Sequence, residues 1–238
     1  MVICSLFTRD WPPALAFVES LKRNASDHRI ILAERDMPGV RATLEKPKLL
    51  RSCIARYNHP ALWLDADTIV RRPLDDLARM VESADLTILH RPNTFKRGPL
   101  GSYHACTFNT GVVGVNATDA GMDYLDRWQE VCEMSKPAPL LDQEAAYLAY
   151  RNLRSRVRMC ELPGAFNDAR FSPASSIWHG KGSSRRHILF KLESARYAHG
   201  WPVGGLIQIL QWARKAEPIR RAYATWWQRR EASAAHQP

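Results

Sequence analysis

The chain has 238 residues, enough to bury a full core in one α/β domain and too few for two large ones. Apolar residues make up 45% and charged residues 24%, with 15 Pro and 12 Gly, which excludes disorder, collagen and coiled coil as descriptions of the whole chain. The formal charge of +10 favours anionic partners such as nucleotide phosphates, nucleic acid or an acidic membrane surface.

In chain order, the apolar run Val2 to Thr8 predicts a strand, ended by Arg9, Asp10 and a Trp-Pro-Pro turn. Ala14, Phe17, Val18 and Leu21 repeat at helical spacing, and Arg29 to Ala33 reads as the next strand. Lys46 to Tyr57 places Leu49, Leu50, Cys53, Ile54 and Tyr57 on one helical face before Asn58-His59-Pro60 breaks the pattern. The apolar run Ala61 to Leu64 follows as a buried strand, with further strands predicted at Leu86 to Leu89 and Gly111 to Val115. Asp119 to Glu133 and Asp142 to Arg151 read as helices. Strands alternating with helices imply a mostly parallel sheet covered on both faces.

From Ser183 to Pro238 there are ten Lys and Arg against three Glu, together with Trp201, Trp212, Trp226 and Trp227. The predicted organisation is therefore a domain over residues 1–182 and a basic, Trp-rich helical appendage over 183–238. Such a tail suits an interfacial anchor on an anionic membrane, a nucleic-acid surface, or a helix packed on the domain by its Trp face. No segment has the roughly 18 consecutive apolar residues of a membrane span, so membrane contact is expected to be peripheral. The opening MVICSLFTRDWPP has no basic leader and too short an apolar stretch for a secretory signal. Cys4, Cys53, Cys106, Cys132 and Cys160 stand far apart and read as reduced thiols of a cytoplasmic protein.

The strongest chemical signal is Leu62-Trp63-Leu64-Asp65-Ala66-Asp67-Thr68-Ile69-Val70. Two carboxylates spaced by two at the end of an apolar strand project to the same side of the sheet. Ligands of open α/β sheets bind beyond the carboxyl ends of the strands, and paired carboxylates there suit Mg²⁺ or Mn²⁺ shared with substrate phosphates. A strand followed by an Asp-rich turn is the bland alternative, weakened because apolar sequence resumes at once.

This stretch resembles the metal-dependent glycosyltransferases of the GT-A fold, most closely the retaining, family-eight-like nucleotide-sugar transferases, whose apolar strand ends in Asp-x-Asp. Phe108-Asn109-Thr110-Gly111-Val112 is similar to the family's F-N-[ST]-G-V strand, Leu141-Asp142-Gln143-Glu144 to its D-Q pair, and Trp178-His179-Gly180-Lys181-Gly182 to its late histidine segment. The resemblance implies a Rossmann-like α/β domain with a mostly parallel central sheet flanked by helices. It implies Asp65, Asp67 and His179 as metal ligands, with Asp65 and Lys181 facing the donor diphosphate. Asn109, Asp142 and Gln143 would lie at the donor sugar, and Thr8 and Asp10 would contact the uracil and ribose. The implied activity is transfer of a hexose from a nucleotide sugar, expected to be a UDP-hexose, to a hydroxyl of a glycan or lipid-linked acceptor, with retention at the anomeric carbon. Two other readings remain: a nucleotidyltransferase that makes a nucleotide sugar, which would want a Gly-rich phosphate loop after the first strand, and a non-catalytic nucleic-acid or scaffold protein that uses the basic tail.

Overall fold

The structure, a computed structural model, describes residues 1–7, 12–34, 44–92, 94–97, 103–105, 107–134 and 142–200. Thr8, Asp10 and the four tail tryptophans lie outside the described residues.

The described strands are β1 (Val2–Phe7), β2 (Arg29–Glu34), β3 (Ala61–Leu64), β4 (Thr68–Val70), β5 (Leu86–His90), β6 (Phe95–Arg97), β7 (Tyr103–Ala105), β8 (Phe108–Val115), β9 (Met159–Glu161) and β10 (Ile177–His179). The helices are α1 (Pro12–Asn24), α2 (Lys46–Tyr57), α3 (Asp75–Ser83), α4 (Asp119–Met134), α5 (Asp142–Leu153) and α6 (Ile188–His199). The central sheet runs β2-β1-β3-β8-β5-β9. Strand β8 is antiparallel to both β3 and β5, while β1–β2, β1–β3 and β5–β9 pair in parallel. The sheet is therefore mostly parallel, as expected, with one reversed strand.

Burial on both faces explains the continuous apolar runs of β1 and β3. Alternate residues go opposite ways: Val2, Cys4, Ala61 and Trp63 join Leu50, Cys53, Tyr124, Trp128 and Ala146 on the α2/α4/α5 face. Ile3, Leu62 and Leu64 join Phe17, Leu21, Leu77 and Val81 on the α1/α3 face. A smaller cluster of Ala16, Ile69, Phe171, Trp178, Phe190 and Tyr197 fixes α6 and β10 to α1.

Strand β4 leaves the central sheet and pairs antiparallel with β10, matching Thr68 to His179 and Val70 to Ile177. Arg71 braces this ribbon, with its Nε 3.0 Å from Glu193 of α6 and its guanidinium 3.9 Å from the Trp178 ring centroid. Asn24 Nδ2 on α1 donates to the Val70 carbonyl at 2.8 Å and to the Tyr197 hydroxyl at 3.0 Å. The described part of the basic C-terminal segment thus packs on the first helix, and none of the described helices is long and apolar enough to cross a membrane.

Candidate active site

The chain delivers its polar groups to the edge of the sheet where β1 and β3 end and β8 begins. The spacing of Asp65 and Asp67 predicts two side chains on one face of a strand. Instead they converge through a turn, in which the Thr68 N–H and hydroxyl both donate to the Asp65 carbonyl, at 3.0 and 2.8 Å. The turn switches the chain from the central sheet to the β4–β10 ribbon, so apolar sequence resumes at Thr68 without continuing β3.

The ribbon brings His179 to the pair. Its Nε2 lies 3.2 Å from Asp67 Oδ1 and 3.6 Å from Asp65 Oδ2, and one donor atom from each residue falls within 4.8 Å of the others. Neighbouring ligands of a hexacoordinate ion bound at about 2.1 Å sit about 3 Å apart, so this spacing fits a shared divalent cation. The imidazole is 2% exposed and its Nδ1 is 2.8 Å from Asn167 Oδ1. An amide oxygen can only accept, so Nδ1 carries a proton on that side and Nε2 is the nitrogen turned to the carboxylates, the one that would ligate a metal. Gly111 lets the ring come this close: a Cβ there would stand 2.1 Å from His179 Cε1. Carboxylate oxygens and one imidazole form a donor set for Mg²⁺ or Mn²⁺.

Lys46 is the residue that sequence reasoning missed. It opens α2, is 2% exposed, and its Nζ lies 2.8 Å from Asp65 Oδ1 and 2.9 Å from Asp142 Oδ2. It also donates to the Thr110 carbonyl at 3.1 Å, and the Thr110 hydroxyl donates to Asp142. Burial pulls the Lys46 ammonium down, but the Asp142 and Asp65 carboxylates outweigh it and hold the group above the ordinary lysine range. Burial likewise raises the Asp65 carboxyl, and the Lys46 and His179 charges with the Trp63 indole N–H bring it below its usual value. Asp65 therefore divides its oxygens, one taken by Lys46 and Trp63, each at 2.8 Å, and the other turned to His179.

Asn109 is buried with its Oδ1 accepting from the Gly111 N–H, and Gln143 is buried beside Asp142 at the start of α5. The structure joins Asp142 to the cluster through Thr110 and Lys46, with Asn109 next to Thr110 in β8 and Gln143 next to Asp142 in α5. Lys181 is half-buried just after β10, and Arg185, one helical turn on, has its Nε 3.9 Å from Asp67 Oδ2. The apolar face of α2 gave the only sequence signal for Lys46, because one turn back from Leu50 is position 46.

No protein-family model matches the chain, and no curated protein sequence does. Solved structures do. The chain is similar to a glycosyltransferase involved in the glycosylation of the major capsid of PBCV-1, at 18% identity and TM-score 0.56 over 78% of this chain and 98% of that one. It is also similar to the glycosyltransferase GlyE of Streptococcus pneumoniae TIGR4, at 16% identity and TM-score 0.51, over 90% of this chain. The chain spans 63% of the length of GlyE, whose apo form gives TM-score 0.52 at 15% identity. At these identities the likeness speaks for architecture alone, which the chain shares with these glycosyltransferase structures.

Proposed function

We propose that this protein is a metal-dependent glycosyltransferase that moves a hexose from a nucleotide sugar, of which a UDP-hexose is the first choice, to a hydroxyl of a glycan or lipid-linked acceptor. The observation that carries the reading is the convergence of Asp65, Asp67 and His179 at the strand ends of a glycosyltransferase fold, next to the buried Lys46–Asp142 pair.

In the proposed reaction the bond between the anomeric carbon and the diphosphate oxygen breaks and the acceptor hydroxyl forms the new one, its proton leaving with the nucleoside diphosphate. A Mn²⁺ or Mg²⁺ ion in the Asp65–Asp67–His179 cluster would supply positive charge to the departing diphosphate. Lys181 and Arg185 are the side chains assigned to the same phosphates. Asp142, Gln143 and Asn109 are assigned to the sugar, where carboxylate and amide oxygens favour a carbon that becomes cation-like. Lys46 fixes Asp142 and Asp65 in place. Retention of configuration rests on the family-eight-like resemblance, and the basic Trp-rich tail is proposed to hold the protein on the cytoplasmic face of an anionic membrane.

Thermal unfolding with UDP, with Mn²⁺ and with both, for the wild type and for Asp67→Ala, tests the site. At about 100 times the dissociation constant, binding adds roughly 2.7 kcal/mol. A shift that needs both ligands together and vanishes in Asp67→Ala supports the reading, while equal shifts in the two proteins refute it.

A further inference from the structure

A cavity of about 680 Å³ lies beside the metal-ligand cluster and shares none of its carboxylates. One wall is the end of β5, with Leu89 and Arg91; the other is the loop leading to β10, with Asn167, Asp168, Arg170 and Ser175. Leu89 is the register partner of Asn109, and Asn167 holds His179, so the cavity borders both the proposed sugar contact and the proposed metal contact.

The charge on its lining is unbalanced. The Arg91 guanidinium is pressed downward first by burial and then by the positive charge of Arg170. The charge acting on Arg91 is that of Arg170, of like sign, and not that of a carboxylate. Asp168, the one acidic residue on the lining, is spent on the loop: it accepts from the Arg170 and Ser172 N–H groups and from the Ser175 hydroxyl, each at 2.7 Å. Two arginines on one lining, with its acidic residue already engaged by the loop, form a cradle for an anion.

We propose that this cavity is the acceptor subsite and that it selects an acceptor carrying a phosphate or carboxylate group, held by Arg91 and Arg170. The acceptor assignment rests on the glycosyl-transfer reading above, but anion selection by this pair of arginines does not.

Isothermal titration of the full chain in EDTA, with no donor present, separates the two. The probes are methyl glucoside, methyl glucoside 6-phosphate and methyl glucuronide, and the proteins are the wild type, Arg170→Gln and Arg91→Gln. A charge-assisted contact predicts that at least one anionic probe binds about tenfold tighter than the neutral one in the wild type. The preference falls to near unity in both variants, whose unfolding midpoints and UDP–Mn²⁺ response stay at the wild-type level. The phosphate and carboxylate arms identify the preferred anion. Equal binding of all three probes, or a preference that survives both substitutions, overturns the proposal. A retained preference in a protein that shows no UDP–Mn²⁺ response overturns the transfer reading and with it the acceptor assignment, leaving an anion site.

Discussion

Lys46 Nζ lies 2.9 Å from Asp142 Oδ2 and 2.8 Å from Asp65 Oδ1, so one buried ammonium joins the Asp-x-Asp turn to the first residue of α5. A cation in the first turn of a helix faces the unfavourable end of the helix dipole, and burial adds to the cost. Its two carboxylate partners and the Thr110 carbonyl offset both.

Lys46→Met therefore strands two partly buried carboxylates, and we expect it to lower stability by about 3 kcal/mol. Urea unfolding followed by circular dichroism measures the loss. Unchanged stability would mean that water replaces the ammonium at no cost.

The same pair sets an acid limb. Because Asp65 is held below its ordinary carboxyl value of 3.8 in the folded protein, its contribution is complete above that value and is lost as pH falls through the folded pKa. In metal-free protein the stability gap between wild type and Lys46→Met should be full at pH 7 and narrow below about pH 4. Unfolding curves across that range, with a gap that stays constant, would disprove the coupling.

The His179 ring is positioned from both sides. Asn167→Ala removes the acceptor that holds the Nδ1 proton, and we expect Mn²⁺ affinity to drop about 10–100-fold with the fold retained. Gly111→Ala drives a methyl group into the ring and should lose metal affinity at least as strongly. Titration of Mn²⁺ by electron paramagnetic resonance gives both numbers.

Arg71 carries a cation–π contact to Trp178 and an ion pair to Glu193, both partners being largely buried. Arg71→Met should cost about 1–3 kcal/mol and expose the α6 segment to protease, whereas the exposed Arg79→Met should do neither. Limited proteolysis with mass mapping distinguishes them.

Local pattern made much of this legible from the sequence. The strands and helices with strong periodicity stand where the apolar spacing puts them, and the Asp65, Asp67 and His179 set converges in space. What stayed hidden depends on contacts distant in sequence. The reversed direction of β8 cannot be read from an apolar run, since alternation is the same both ways. Strands β4 and β10 have only three residues each, too short for any period, and Lys46 looks like an ordinary solvated helix start until Asp142 is placed beside it.

The β4–β10 ribbon that presents His179 is two-stranded, and a ribbon of that size does not hold its shape alone in water. Its rigidity is borrowed from α1 and α6 through Asn24, Arg71, Tyr197 and Glu193. Deleting the chain from Ser183 onward would thus leave every proposed metal ligand present while its scaffold frays, and the resulting inactivity would mimic the loss of a catalytic group although none had been removed.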